Sequence, residues 1–264
     1  MPELPEVERF RRYLAQTSLH QTVEQVSVTD RRILHGVTVR GLGAALKGGQ
    51  FARTARHGKY LLAELNRGGW LVLHFGMSGR LQQFRFLEGR PPHSRVIVRF
   101  QNGVHLAFVC MRMFGEVSLT AGPDALVAER RLGPDALAVT RAAFLEQLDG
   151  RTGMIKPILM NQRVVAGLGN LYADEILFQA RIHPETPVRR LGRERLGRVF
   201  SVMRRVLRLA VRRHAQIDAY PSSYLLPRRG DDQPCPRCGR KLVRSVVGGR
   251  GTYHCSACQR RPRG

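Results

Sequence analysis

Two Cys-x2-Cys knuckles, Cys235-Pro-Arg-Cys238 and Cys255-Ser-Ala-Cys258, are separated by sixteen residues. Four thiolates at this spacing fit one closed, tetrahedral zinc site, each tight turn supplying two ligands. That limits the intervening chain to a short out-and-back path. Lys241-Leu-Val-Arg-Ser-Val-Val247 and Thr252-Tyr-His254 flank Gly248-Gly249-Arg250-Gly251, which reads as a β-hairpin with an arginine at its tip. Arg250 is then either solvated turn decoration or a phosphate contact. Two disulfides are the competing use of four cysteines, but no apolar signal segment follows Met1, so an oxidising compartment is not expected. The fifth cysteine, Cys110, closes the apolar run from Val104 and reads as a small buried filler.

A polyanion is the expected partner. The formal charge is +24 over 264 residues, and only Lys47, Lys59, Lys156 and Lys241 among the 44 basic residues are lysines. RNA, DNA and acidic membranes all satisfy charge alone. No apolar run approaches the ~18 residues of a membrane span, and a 43% hydrophobic content supports a packed core. In a chain that uses arginine almost everywhere, each lysine stands out as a compact, titratable point charge.

The hydrophobic period changes once along the chain. Up to about residue 131 it shows short apolar or alternating runs at 22–28, 60–65, 70–75, 95–100 and 104–110, punctuated by glycine, proline and Gln101-Asn-Gly103. These predict an all-β sandwich or barrel after a first helix. From Leu132-Gly-Pro-Asp135 onward the period is helical, with helices predicted at 142–148, 155–162, 170–180 and 193–214. The last carries Leu196, Phe200, Met203, Leu207 and Ala210 on one stripe and arginines elsewhere. The chain begins Met1-Pro2-Glu3-Leu4-Pro5-Glu6. As a helix start this is ordinary, with Pro5 suited to the first helical position and acids near the positive end of the dipole. Removal of Met1, however, would turn Pro2 into a secondary amine. An α-amino group titrates at about 8 against about 10.4 for lysine, so it is the better nucleophile at neutral pH. Glu3 and Glu6 place carboxylates beside it for proton transfer.

These motifs together resemble one family. Pro-Glu-Leu-Pro-Glu-Val at 2–7, His-Gly-Lys-Tyr at 57–60, His-Phe-Gly-Met-Ser-Gly at 74–79, Gly-Leu-Gly-Asn-Leu-Tyr-Ala-Asp-Glu at 167–175 and the cysteine hairpin resemble formamidopyrimidine-DNA glycosylases and the related endonuclease VIII-type enzymes. The resemblance runs from Pro2 to Cys258. It implies an α+β protein: an N-terminal β-sandwich flanked by helices over 1–131, a hinge at 132–139, a helix–two-turns–helix DNA-binding domain at 140–230 and a four-cysteine zinc-finger β-hairpin at 231–264. The implied activity is excision of oxidised bases from damaged double-stranded DNA followed by β,δ-elimination. Pro2 would be the nucleophile at C1′, Glu3 the acid/base, and Lys59 a group near the lesion and its phosphate. Asn170, Arg250, Lys156 and His74 are implied as DNA-binding residues. Met77, Arg112 and Phe114 would fill the gap left by the extruded base, with ordinary core filling the lesser alternative for Met77 and Phe114. One structural zinc on Cys235, Cys238, Cys255 and Cys258 is the only cofactor implied. A monomer in a bacterial cytoplasm, associated with the nucleoid and not with a membrane, is expected.

Two departures qualify the resemblance. The family's usual Asp-Pro-Arg-Arg-Phe-Gly is here Cys110-Met-Arg-Met-Phe-Gly115. The segment His214 to Gly230 is also shorter than the lesion-capping loop of members that recognise 8-oxoguanine, and it lacks their Tyr-Gly-Arg. An endonuclease VIII-like preference for oxidised pyrimidines, or a non-catalytic damage-sensing paralogue, are the alternatives. Intact Pro2, Glu3 and Lys59 argue against the second.

Overall fold

A computed structural model describes residues 1–261; the last three residues of the expected finger, 262–264, lie outside the described residues. The chain divides into two units, Met1–Arg131 and Leu132–Gly264.

The first unit opens with helix α1 (Leu4–Ser18), which buries Val7, Phe10 and Leu14 on one stripe. Strands β1 (Val23–Val28), β2 (Phe51–His57), β3 (Tyr60–Leu65), β4 (Trp70–His74), β5 (Arg80–Phe84), β6 (Ser94–Phe100), β7 (His105–Val109) and β8 (Glu116–Thr120) form two antiparallel sheets, ordered β1-β6-β7-β5 and β2-β3-β4-β8. Alternation sorts each strand's faces. Val96, Val98 and Phe100 enter the core shared with Phe51, Leu61, Leu71 and Leu73 of the other sheet, while Ile97 turns outward to Phe84, Ala107 and Val109. The result is the expected sandwich. Helix α2 (Val39–Leu46) adds Leu42 and Leu46 to that core. Helix α3 (Pro123–Arg130) sets Leu126 against Leu62, Trp70 and Val72, so β3 and β4 are buried on both faces and read as continuous apolar runs.

Three strands and two helices escaped the sequence pattern. β2 is Phe-Ala-Arg-Thr-Ala-Arg-His, whose charges mask a strand, yet each arginine has a partner. Arg53 pairs with Glu64 and lies 5.0 Å from the Trp70 ring centroid, while Arg56 sits 3.4 Å from Glu8. Pro5 also falls on the second helical position; Glu3 is the N-cap and Leu4 the first helical residue.

The second unit holds helices α4 (Arg141–Leu148), α5 (Ile155–Met160), α6 (Asn170–Ala180) and α7 (Gly192–Arg212), then the hairpin β9 (Val243–Val247) and β10 (Arg250–His254). α7 buries Leu196, Val199, Met203, Val206, Leu207 and Ala210. Phe200 is only half-buried, at the edge of the stripe against Phe144 and Arg204. Residues 132–139, the expected hinge, make hydrogen bonds within this unit. Gly133 N–H donates to Gln162 O (2.8 Å) and Ala136 N–H to Ala166 O (2.9 Å), while Asp135, Ala136 and Val139 are buried. The finger has a small core of its own in which Leu242, Cys235 and Cys255 pack on Phe178 of α6 and on Leu225.

Candidate active site and nucleic-acid interface

Glu3 caps α1. Its backbone N–H donates to Glu6 Oε2 at 2.9 Å while its own carboxylate accepts from Glu6 N–H, a reciprocal box that leaves Glu3 only 1% exposed. Met1 is 49% exposed and Pro2 half-buried. Two contacts fix where this end points. Arg11 Nη1 donates to Thr54 Oγ1 (3.0 Å) and Arg56 meets Glu8, so moving back along the helix moves forward along β2. Five residues of helix and two of strand both span roughly 7 Å. Glu3 therefore lies toward the β2–β3 turn, Gly58-Lys59, where Gly58 takes φ +55 as a two-residue hairpin turn favours. Lys59 is buried there. Burial, then the charges of Lys59 and Arg130, push the His74 imidazole down to about 4. Gly76 N–H donates to His74 Nδ1 (3.4 Å), so at neutral pH this ring is uncharged with its proton on Nε2.

Met77, Arg112 and Phe114 stand on two turns that lock together. Arg112 N–H donates to Ser78 Oγ (3.2 Å), and a Cβ on Gly76 would lie 2.2 Å from Phe114 O. The backbones touch, so the side chains must project outward: Met77 is 44% and Phe114 64% exposed, and Arg112 is exposed too. Core filling is thus excluded for both apolar residues. Two of the three departures in this loop go inward, while Met111 is exposed. Cys110 is fully buried, and Met113, at φ +55, packs against the sandwich core.

In the second unit the expectation for Lys156 needs correction. Its side chain is 0% exposed, with Nζ 2.7 Å from Asp174 Oδ1 and donating to Thr252 Oγ1 at 2.6 Å. A lysine so enclosed meets no phosphate; its partners are the carboxylate and the finger. Asn170 starts α6 and donates from Nδ2 to Gly251 O (2.9 Å), beside exposed Arg250. The turn before it uses Gly248 and Gly249 at φ +57 and +72, and a Cβ at Gly248 would come 2.6 Å from Pro157 of α5. Asp174 and Arg229 were not singled out as site residues, yet they organise this region. The signal was present: an acidic pair, Asp174-Glu175, inside an otherwise apolar helix, with Asp174 one turn after Asn170 on the same face.

The four cysteine sulfurs lie within 4.8 Å of one another, with Cys235–Cys258 at 4.0 Å and Cys238–Cys255 at 3.5 Å. Sulfurs in a disulfide would be about 2.05 Å apart, whereas four ligands about 2.3 Å from zinc stand about 3.8 Å apart. The cluster fits one structural zinc. The Arg240 N–H draws the Cys238 thiol down to about 7, while burial and neighbouring sulfurs push Cys258 up to about 12. A divalent cation relieves that crowding.

Segment 214–230 is stapled to α6. Tyr220 Oη lies 2.9 Å from Tyr172 Oη, Leu226 N–H donates to buried Glu175 (2.8 Å), and Gln179 donates to Ser223 O (3.1 Å). Tyr224 is buried, and Arg229 is held by Asp174. Among the described residues no helix is long and apolar enough to cross a membrane.

Known proteins share this arrangement throughout. Residues 1–117 match the formamidopyrimidine-DNA glycosylase N-terminal domain, 132–220 its H2TH domain, and 232–261 the zinc finger found in that enzyme and in IleRS. The class is thus that of zinc-finger DNA glycosylases built on a β-sandwich. Within it, the chain belongs to the formamidopyrimidine-DNA glycosylase family of DNA-repair enzymes. It is 34% identical over 278 residues to the formamidopyrimidine-DNA glycosylase of Pelotomaculum thermopropionicum, covering 98% of this chain and 99% of that one. Identity to the Symbiobacterium thermophilum enzyme is 36% over 280 residues, with 100% and 91% coverage. Among solved structures, Lactococcus lactis Fpg bound to a Fapy-dG containing DNA superposes with a TM-score of 0.89 at 28% identity, covering 98% of this chain and all of that one. The complex of that enzyme with an abasic site containing DNA gives the same TM-score at 29% identity.

Proposed function

We propose that this chain is a bifunctional glycosylase and abasic-site lyase acting on oxidised bases in duplex DNA. Once Met1 is removed, the Pro2 nitrogen attacks C1′ of the damaged nucleotide and the base departs with a proton supplied through Glu3. The adduct then opens the sugar ring: the C1′–O4′ bond breaks, O4′ takes a proton, and the nitrogen lone pair forms the C1′=N iminium, an electron sink. Loss of a C2′ proton expels the 3′ phosphate, and a further elimination expels the 5′ phosphate. Met77, Arg112 and Phe114 hold the duplex open where the base left the stack. Asn170 and Arg250 contact backbone phosphates. Zinc, when bound, clamps the finger and takes no part in bond making. The observation that carries the reading is the register of α1 on β2, which brings the Pro2–Glu3 end toward Lys59. Complexes of the Lactococcus lactis relative with Fapy-dG and abasic DNA support the substrate class.

Borohydride added during reaction tests this, because the iminium is reducible. Wild type should form a covalent DNA complex, and Pro2→Thr or a form retaining Met1 should bind DNA without trapping. Undiminished trapping in either would move the nucleophile to another amine, Lys59 first.

One observation bears on the lesion. Of the groups in the short segment that could cap a flipped base, Tyr220 and Arg229 are bonded to α6 and Tyr224 is buried, while Arg228 is exposed. Discrimination of an added oxo group needs buried polar partners aimed at it. Ring-opened purines, oxidised pyrimidines and abasic sites are therefore the favoured substrates, with 8-oxoguanine excised comparatively weakly.

A further inference from the structure

Residues 250–253, the part of β10 that begins with Arg250, are fastened to one buried cluster. Gly251 O accepts from Asn170 Nδ2 (2.9 Å), Arg229 Nη2 (3.1 Å) and Lys156 Nζ (3.5 Å). Thr252 Oγ1 accepts from Lys156 and donates to Arg250 O at 2.9 Å. Tyr253 N–H donates to Asp174 Oδ2 at 3.2 Å, and the Arg229 guanidinium lies 4.9 Å from the Tyr253 ring centroid. Asp174 is the single acid among these groups. It stands 2.7 Å from Lys156 and 3.0 Å from Arg229, and it is fully buried, as are Lys156 and Thr252.

We infer that Asp174 is a positioning residue for Arg250: its carboxylate gathers Lys156 and Arg229, and the two cations, with Asn170, hold residues 250–253 so that the Arg250 guanidinium is presented at a fixed place. The inference rests on the proposed role of Arg250 as a phosphate contact. The physical ground is the asymmetry of buried charge. Lys156 and Arg229 without Asp174 are like charges in a low-dielectric site, and they would separate or draw in water. The strand they hold would then lose its anchor, while four cysteines still close the finger below it. Arg250 itself has no part in the cluster through its side chain, so its exposed guanidinium depends on the backbone beneath it.

A double-mutant cycle tests this on full-length, zinc-loaded protein and a duplex with one abasic site. Single-turnover cutting rate, dissociation constant and zinc content are read for wild type, Arg250→Ala, Asp174→Asn and the double variant. Losing one charge-assisted phosphate contact should weaken binding about 10- to 100-fold in Arg250→Ala. Asp174→Asn should lose about tenfold alone yet less than about twofold more in the Arg250→Ala background, because both remove one interaction. Each single variant should also lower the slope of log K against log salt by about one. A full additional loss in the double variant would overturn the inference, since a general loosening acts whichever residue is at 250. If Arg250→Ala binds and cuts normally, the role proposed for Arg250 falls and this inference falls with it. If Asp174→Asn fails to retain one zinc, Arg229→Gln takes its place. That variant leaves the Lys156–Asp174 pair neutral, and non-additivity with Arg250→Ala supports the inference while multiplicative losses overturn it.

Discussion

Gly76→Ala probes the crossing of the two turns that present Met77, Arg112 and Phe114. Two costs can be separated. Gly76 has φ +54, where an L side chain costs about 1–2 kcal/mol. A methyl group there would also lie 2.2 Å from Phe114 O, 2.3 Å from its carbonyl carbon and 2.6 Å from Gly115 N. Backbone must then retreat by roughly 1 Å to reach van der Waals separation, an overpacking cost of about 1–3 kcal/mol. The sum is about 2–5 kcal/mol. Gly103→Ala is the control, because Gly103 has φ +79 but nothing within 4 Å of its added Cβ. It should cost only about 1–2 kcal/mol. The chain's one tryptophan, Trp70, is buried on β4, the strand leading to Gly76, so urea unfolding followed by its fluorescence reports the right unit. Cutting at an abasic site should fall much further in Gly76→Ala than in Gly103→Ala, since only the first moves the projecting side chains. Equal destabilisation by the two substitutions, or full cutting by a destabilised Gly76→Ala, would refute the argument.

His74 offers a pH test: its folded value of about 4 lies below the ordinary 6.5, so the stability it contributes is complete above 6.5 and is lost as pH falls from there toward 4. His74→Gln should flatten that part of the urea-stability profile, and an unchanged acid limb would contradict the assignment. Cys238→Ser should lose zinc and most DNA affinity, measured by metal content and titration, because the metal supplies much of so small a hairpin's folding free energy. Active wild-type protein with no bound metal would contradict this. On matched duplexes, single-turnover excision of 8-oxoguanine should be slower than that of ring-opened guanine, and an equal or faster rate would show that the stapled segment 214–230 does not limit recognition.

Much of this was legible in the sequence because the signals were local. Spacing alone defines the cysteine cluster, and continuous apolar runs mark β3 and β4. The Asn170–Ala180 helix coincides with its motif. Signals that need a partner elsewhere in the chain were not legible. β2 is a strand because its backbone pairs with β3, and its arginines are accommodated by Glu64 and Glu8, which no periodicity encodes. The sequence marks Lys156 as unusual in an arginine-rich chain, and it is, but as a buried counter-charge. Only the fold brings Asp174 and Thr252 to it across 18 and 96 residues. Arg112 and Phe114 could be aligned to a motif, whereas their shared projection with Met77 follows from a glycine contact that one-dimensional reading cannot weigh.

The finger's core has a consequence for modularity. The sequence boundary of the finger, 232–261, encloses the metal ligands but not Phe178 or Leu225, on which Cys235, Leu242 and Cys255 pack. Arg237 of the first knuckle also lies 4.6 Å from the centroid of the Phe178 ring and donates to its carbonyl. The metal ligands are thus inherited as a short cassette, while the packing that seats them belongs to the host helix. A graft of residues 232–261 onto another protein would bring its own metal but arrive with one wall missing. A recipient would have to offer an aromatic residue at a helix C-terminus to complete it.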